Sequence, residues 1–370
     1  MIVIVGSGLS GSVLARLYAN TLNKKVLIIE KRDHIAGNIY DYIDENGILC
    51  SKYGAHLFHT NNDRVWNFVQ EFSEWIQWEH KVLGRIGNKL FPIPVNINTV
   101  NILLTEHIEN IEEMNDWLDK NQSKFECPKN GEESCKNRVG EKLYELIFKN
   151  YTKKQWDKYP DELDQCVLNR IPIRNNFDDR YFTDKYQALP KDGYTKFIEN
   201  MITHSNIKIM LNTNYFDIKD TLTDVELTIY TGPIDQYFSD VGYEKLEYRS
   251  INFVEKTIDK EYFQENSVVN YPDSEVPFTR IVEYKHFLNQ KSIKTKICYE
   301  YTTKIGEPYY PVFNKKNMEL YDKYKEMAEN IKNVYFVGRL ANYKYFNMDE
   351  AILNSLELFD KFTNLTNNTL

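Results

Sequence analysis

Apolar positions change their spacing several times along this chain, and each change marks a different element. Ile2 to Val5 is an unbroken β-branched run, as a strand buried on both faces of a parallel sheet would be. Val13, Leu14, Leu17 and Leu22 then recur at helical intervals, with Ser12, Arg16, Asn20 and Asn23 between them. Asn23-Lys24-Lys25 ends that helix, and Val26 to Ile29 forms a second apolar strand closed by Glu30. Asp63 to Trp75 predicts an amphipathic helix through Val65, Trp66, Phe68, Val69 and Phe72. Val82 to Ile97 alternates around Gly87-Asn88 as a hairpin does, until Pro92 and Pro94 interrupt it. From Thr99 to about Trp156 the period is helical. Leu103, Leu104, His107, Ile108 and Ile111 form one stripe, continued by Met114, Trp117 and Leu118. A charged loop over Cys127 to Lys136 separates it from a second stripe of Val139, Leu143, Leu146 and Ile147. Residues 157–184 are polar and irregular and carry Arg170, Arg174 and Arg180.

Beyond them Gly193 precedes a periodic helix (Tyr194, Phe197, Ile198, Met201, Ile202), and Ile207 to Leu211 and Val225 to Tyr230 are strands. Residues 245–305 alternate as strands around Tyr248, Ile251 and Phe253, Val268 and Val269, Phe278 to Tyr284, and Ile297 to Tyr301. Val334 to Val337 runs into Gly338-Arg339, and Met348 to Phe359 is a helix. No internal repeat is visible. The pattern predicts an α/β chain: a Rossmann-like dinucleotide-binding domain with an inserted helical domain and an antiparallel β-sheet domain. The nucleotide domain is expected over 1–78, 193–240 and 318–370, and the helical insertion over 96–165. The sheet domain is expected over 79–95, 166–192 and 241–317, with a loop around 166–178 that is either mobile and functional or poorly ordered.

Turn chemistry sharpens the first domain. Gly6, Gly8 and Gly11 stand at G-x-G-x-x-G spacing between strand and helix, and Glu30 lies 19 positions beyond Gly11, where a carboxylate would meet a ribose. The first glycine permits the tight turn, the second lets backbone approach a pyrophosphate, and the third lets helix pack on strand. A dinucleotide is therefore expected. Small-residue turns at Ala36-Gly37-Asn38 and Tyr53-Gly54-Ala55-His56-Leu57-Phe58-His59 suit backbone passing close to a large planar ligand. A strand–Gly–helix at Gly338 suggests that both chain ends meet at one cofactor.

Composition narrows the rest. A chain of 370 residues can build two or three cores, and a net charge of −8 argues against nucleic acid as the partner. No apolar run reaches the roughly 20 residues of a membrane helix, and the start lacks a signal peptide's basic and cleavage regions. The five cysteines are scattered without a C-x-x-C pair, which suits a reducing cytoplasm. Sequons at Asn364 and Asn367 are expected to be a frayed polar tail. His56 and His59 stand three apart with no further ligands at metal spacing, so no metal is expected. With no Gly-x-Ser-x-Gly elbow and no cysteine nucleophile in view, chemistry falls to the bound cofactor. Arg170, Arg174 and Arg280 could clamp a pyrophosphate, and Tyr309-Tyr310 and Tyr343-Lys344-Tyr345 could donate to it.

Longer motifs carry a resemblance. GSGLSG at 6–11, HIAGNIYD at 34–41, YGAHLFHT at 53–60, YTKKQW at 151–156 and RIPIRNNFDDRYF at 170–182 occur in this order. TGPID at 231–235, FTRIVEYKHF at 278–287, EPYYPV at 307–312 and GRLANYKYFNMDEAI at 338–352 follow. Over nearly its full length the chain resembles the UDP-galactopyranose mutases of the prokaryotic type. The resemblance implies an isomerase that interconverts UDP-galactopyranose and UDP-galactofuranose on FAD, active in the reduced form. In the family the flavin N5 attacks the anomeric carbon, and there is no net redox change.

The resemblance also implies residue roles. Arg170 and Arg280 would grip the pyrophosphate, with Tyr151, Tyr181, Tyr310 and Tyr345 donating to the same phosphates. Trp156 would line the sugar or UDP site, Thr152 would contact the nucleotide and Phe148 would sit by the uracil. His59 would lie beside the flavin and Arg339 would tune it, completing a catalytic set of Arg170, Arg280, His59 and Arg339. Gly6, Gly8, Ser10, Gly11, Glu30, Lys31, Asn38 and His56 would hold FAD, with Asp349 or the helix start at Met348 near its ribityl chain. An electron donor such as NAD(P)H would reduce the flavin, and a cytoplasmic homodimer is expected. Three positions depart from the family pattern: Ala36 replaces a glycine, His80 an asparagine and Asn347 an aspartate. The rival readings are an amine-oxidase-like FAD oxidoreductase, which needs an apolar tunnel and no arginine clamp, and an inactive nucleotide-sugar binding module.

Overall fold

The strand Ile2–Val5 is the middle of a five-stranded sheet because nothing in it wants water: Ile2, Val3 and Ile4 are fully buried. It pairs in parallel with Val26–Ile29 on one side and Leu227–Tyr230 on the other, with Ile2 opposite both Val26 and Leu227. Ile207–Met210 and Val334–Phe336 extend the sheet outward, also in parallel, so the two ends of the chain share one layer. The helix Leu9–Thr21 lies on this sheet beside Met348–Asn367 and Gly193–Ile202. Its approach is close because Gly11 has no side chain: a Cβ there would stand 2.1 Å from the Gly6 carbonyl oxygen. The computed structural model describes the backbone of residues 1–367 and the side chains of residues 1–363. The polar tail with its two sequons, expected to fray, lies where side chains fall outside the described residues.

A second sheet has seven strands. From one edge they are Tyr310–Pro311, Tyr248–Ile258, Thr295–Thr303, Arg280–Glu283, Val268–Asn270, Val82–Ile86 and Lys89–Ile93. All neighbours run antiparallel except Val268–Asn270 and Val82–Ile86, which are parallel where two distant stretches of chain meet. The Gly87-Asn88 hairpin forms, with Ile86 opposite Lys89. Pro92 does not interrupt it. It sits inside Lys89–Ile93, an edge strand, where one side of the backbone has no ladder to lose.

Other expectations need correction. The helix that begins at Asp63 stops at Gln70, and Trp75 opens a strand, Trp75–Gln77. That strand joins a three-stranded sheet with Phe58–Thr60 and a central strand, Tyr186–Pro190, that the apolar pattern did not suggest. Trp75 kept its helical spacing because it packs on Phe58 and Trp66, ring centroids 4.9 and 5.7 Å away, from a strand instead of a helix. The stripe Leu103 to Ile111 is two helices. Ile97–Leu104 ends at Thr105 in the left-handed region (φ 59), and Ile111–Asn121 starts after Asn110, whose side chain accepts from the Glu113 amide. Asn130 caps Gly131–Leu143 in the same way, so the charged loop ends six residues sooner than Lys136. The second stripe then passes through a π-helical stretch, Tyr144–Lys149. The wider turn leaves Leu146 exposed while Tyr144, Ile147 and Phe148 face inward. The irregular stretch 157–184 contains a short helix, Cys166–Asn169, with Val167 and Leu168 buried. The helix Lys315–Glu329, also unread in the pattern, buries Tyr321 and Tyr324 beside Ile234, Phe238 and Tyr343 as a second core.

Candidate active site

The parallel strands end at a cavity of about 850 Å³ lined by Gly6, Gly8, Glu30, Lys31, Asn38 and Thr231, among others. This is the carboxyl edge of the sheet, where dinucleotides bind in such folds. Gly37 (φ +54) crosses so close that a Cβ there would stand 2.8 Å from the Gly8 Cα; only bare backbone fits. Glu30 braces the turn: its carboxylate accepts from the Ser7 amide (2.9 Å), the Ser7 hydroxyl (2.8 Å) and the Arg32 amide (3.0 Å). Lys31 pairs with Glu307 at 2.7 Å at the cavity mouth. Asn38 accepts from Arg32 Nη2 at 3.0 Å, and the guanidinium lies 4.4 Å from the Tyr53 ring centre. Arg32 Nη1 is buried with no partner. An orphaned cationic donor beside a glycine cradle fits an oxygen-rich, anionic dinucleotide.

A second cavity of about 680 Å³ shares Gly8 and Asn38 with the first and continues past Ser10 to His56, Arg339 and Met348. Gly11 lines neither; its place is the packing of helix on turn. Asp349 lines neither as well, although its Oδ1 is buried without a partner. Of the two C-terminal candidates, the helix start at Met348 is the one that faces the cavity.

The path opens into a cleft of about 1390 Å³, sharing His56, Arg339 and Met348. The π-helical stretch and the helix Asn150–Trp156 give it Phe148, Tyr151, Thr152 and Trp156. Arg170 comes from the turn after Cys166–Asn169, Arg280 and Tyr310 from the seven-stranded sheet, and Tyr345 from the loop before the last helix. His59 and Tyr181 line it too.

Charge is unevenly supplied. Arg280 Nε donates to Glu300 at 2.6 Å, and Glu300 is 1% exposed at its side chain. Burial would lower the guanidinium's pKa, but Glu300 and the hydroxyls of Tyr310 and Tyr151 outweigh it and hold Arg280 charged. Arg170 lies 4.0 Å from the centre of the Tyr345 ring, which stacks on Tyr310 at 5.4 Å and 9°. Arg339 stands 5.3 Å from Tyr345 and 5.7 Å from Tyr310, with Nε donating to the Phe346 carbonyl at 2.9 Å. Burial pushes the Tyr310 hydroxyl up to about 12, so it remains a donor at neutral pH. Burial would raise Tyr345 as well, yet Arg170, Arg339 and Arg280 bring it below its ordinary value. Three guanidiniums thus converge with one carboxylate between them, an arrangement that favours a bound anion.

The histidines differ among themselves. His56 Nδ1 lies 2.9 Å from the Gly54 carbonyl, and burial, then Arg339, drive its pKa down to about 4. His80 is 3% exposed and its Nδ1 has no partner; burial, then Arg280 and His59, push it to about 3. His59 Nδ1 lies 3.1 Å from Asp184 Oδ2, and its ring stacks on Phe182 at 3.6 Å.

Three residues singled out in the sequence are elsewhere. Arg174 is buried, donating to the carbonyls of Asp178 and Arg180, so it ties down its own loop. Tyr343 is fully buried and donates to the Glu247 carbonyl at 2.7 Å. Tyr309 packs edge-on against Phe253. Others were missed: Arg32 and Tyr215 at the nucleotide cavity, and Phe182 and Asn270 in the cleft. Phe182 had a signal, adjacency to Tyr181; the others depend on which strand ends converge. Among the described residues there is no group of three metal-ligating side chains, and no helix is long and apolar enough to cross a membrane.

A Rossmann-type cradle leading into an arginine-lined cleft is the architecture of a dinucleotide-binding protein whose second cavity suits an anionic ligand. Known proteins narrow this class. A model of the NAD(P)-binding Rossmann-like domain matches residues 4–72, and a UDP-galactopyranose mutase model matches residues 146–345. The chain is 38% identical to a probable UDP-galactopyranose mutase of Klebsiella pneumoniae, covering 98% of this chain and 94% of that one. It is 34% identical to the dTDP-fucopyranose mutase of Escherichia coli, covering 96% of each. A solved structure of reduced UDP-galactopyranose mutase superposes with a TM-score of 0.78 at 17% identity, over 98% of this chain and 95% of that one. The chain belongs to the UDP-galactopyranose mutase family, and is an isomerase.

Proposed function

We propose that the chain interconverts UDP-galactopyranose and UDP-galactofuranose, using FAD in its reduced state and without net oxidation or reduction. The observation that carries this is the convergence of Arg170, Arg280 and Arg339 on the stacked Tyr310–Tyr345 pair, with Glu300 the one carboxylate engaged. Arg170 and Arg280 hold the diphosphate and stabilise its charge as it leaves the sugar. Tyr151, Tyr181, Tyr310 and Tyr345 donate to the phosphate oxygens. Thr152 and Phe148 meet the nucleotide, and Trp156 covers the sugar. Ser10, Asn38 and the glycine turn hold the cofactor, with His56, Arg339 and Met348 at the junction of its cavity with the cleft and His59 on the cleft side. The flavin, when bound, supplies the nucleophile for the anomeric carbon; an electron donor such as NAD(P)H would keep it reduced. The protein's own work is to set leaving group and sugar at that junction and keep them there.

A putrescine oxidase structure superposes with a TM-score of 0.59 at 12% identity, a likeness of fold alone. Arginines in place of an apolar tunnel favour the mutase reading over an amine oxidase. The test is anaerobic incubation of dithionite-reduced protein with UDP-galactofuranose. UDP-galactopyranose should form, and its absence would sink the proposal. dTDP-fucofuranose, matched to the fucopyranose mutase relative, is the comparison substrate.

A further inference from the structure

Of the three histidines that line the cleft, His59 alone is oriented by a carboxylate. Its Nδ1 lies 3.1 Å from Asp184 Oδ2, while Asp184 Oδ1 accepts from Asn61 Nδ2 at 2.9 Å. The Asp184 carbonyl accepts from Gln187 Nε2 at 3.1 Å, which fixes the backbone beneath the carboxylate. One face of the imidazole is covered by Phe182, 3.6 Å away and tilted by 16°. Among the described residues no protein group meets Nε2, and the ring lines the cleft. Asp184 does not line it. It faces a separate groove on the outer side of the three-stranded sheet, with Trp66, Trp75 and Tyr186. Its carboxylate reaches the cleft through His59; its backbone is tied to that of Phe182 by Gln187 Nε2, which also donates to the Phe182 carbonyl at 3.4 Å.

The carboxylate decides which ring nitrogen carries the shared hydrogen. An ionised carboxylate accepts and cannot donate, so the hydrogen shared with the ring must sit on Nδ1. A neutral imidazole so held leaves its Nε2 lone pair as an acceptor. His56 has a backbone carbonyl at the same nitrogen and His80 has nothing there, so neither carries this negative partner. We propose that Asp184 is a positioning residue: it holds His59 as the Nδ1–H tautomer and turns Nε2 into the cleft as a fixed hydrogen-bond acceptor for the sugar or the cofactor.

The activity arm of the test rests on the mutase reading; the spectroscopic arm does not. In 15N-histidine-labelled holoprotein, His59 should show a protonated Nδ1 and an unprotonated Nε2. The variant Asp184→Asn keeps the shape but can donate, so His59 should move to a mixture of tautomers. Its kcat should fall by about 10–100-fold, as for other carboxylates that orient a functional histidine, while KM changes by less than about threefold and flavin content stays constant. Asp184→Glu should recover part of the loss. A wild-type His59 protonated at Nε2 overturns the proposal, and so does an Asp184→Asn variant with unchanged tautomer and kcat, or one in which KM alone rises. Should Asp184→Asn fail to fold, the wild-type spectrum decides. Should the wild type lack mutase activity, the functional reading falls while the tautomer still tests Asp184.

Discussion

His80 shows what one buried ring costs and where that cost is felt. Its folded pKa lies near 3, against about 6.5 for an unfolded histidine, because burial, then Arg280 and His59, oppose its charge. The sign follows from which state holds the proton. Above about pH 6.5 neither state is charged and stability is whole. As pH falls from there toward 3, the unfolded chain gains a proton that the fold refuses, and stability drops by up to about 1.4 kcal/mol per unit. His56 acts in the same direction down to about 4, but it keeps an open face on the cavities, so it should count for less. Urea unfolding at pH 7, 6 and 5 should show this slope, and His80→Asn should flatten it. Arg280 offers a second prediction. Glu300→Gln removes its one carboxylate, leaving a part-exposed guanidinium held by a neutral amide; stability should fall by about 1–3 kcal/mol and KM for the UDP-sugar should rise. Thermal melts and steady-state kinetics check both. At this scale the sequence was informative where a motif named the residue, as for Arg280, and uninformative where neighbours decide. Arg174 and Arg170 stand four apart in one loop, and only the carbonyls of Asp178 and Arg180 turn the first into a structural tie.

Elements set those neighbours. Lys154, inside the YTKKQW motif, donates Nζ to the carbonyls of Tyr271, Asp273 (2.8 Å), Val276 (3.0 Å) and Phe278 (3.1 Å). All four belong to the connection between Val268–Asn270 and Arg280–Glu283, so one ammonium ties the helix bearing Tyr151, Thr152 and Trp156 to the strands bearing Asn270 and Arg280. Lys154→Met would take the shared donor from all four carbonyls, Asp273's keeping the Val276 amide at 3.3 Å. Unfolding free energy should drop by about 1–3 kcal/mol, and KM for the UDP-sugar should rise more than kcat falls; denaturant titration and initial rates test the pair of effects. Periodicity could not show this tie, because it joins residues more than a hundred positions apart. The same limit explains the other misreadings. Ile2–Val5 and Leu9–Thr21 were legible since an unbroken apolar run and a helical stripe announce them whatever distant elements they meet, the strand being fully buried at Ile2, Val3 and Ile4. Tyr186–Pro190 was not, since its partners, Phe58–Thr60 and Trp75–Gln77, lie far upstream. Helix ends at Thr105 and Asn110 were set by a left-handed residue and a cap within an unbroken apolar stripe.

Across the whole molecule, the parallel sheet ends in the dinucleotide cavity and the seven-stranded sheet supplies Arg280 and Tyr310 to the cleft, with His56, Arg339 and Met348 shared at the junction. Two ligands held by different layers should be separable by mutation. Gly37→Ala places a methyl 2.8 Å from the Gly8 Cα at a backbone φ of +54, where the cofactor turn has no slack, and touches nothing that lines the cleft. It should lose most of its flavin, read as the flavin-to-protein absorbance ratio, while UDP still quenches the fluorescence of Trp156 in the cleft. Arg170→Ala removes a guanidinium 4.0 Å from Tyr345 and far from the glycine turn in the fold's order of cavities. It should keep its flavin and lose about tenfold or more in UDP affinity, in line with roughly 1.5–3 kcal/mol for a hydrogen bond to a charged group. The two losses should stay apart because Gly37 lies against Gly8 in the nucleotide cavity, whereas Arg170 lines the cleft and neither of the other two cavities. If Arg170→Ala shed flavin as readily as Gly37→Ala, the cleft and the cofactor cavity would have to fold as one unit, and the shared junction would be a structural hinge between layers instead of a meeting place for two independently bound ligands.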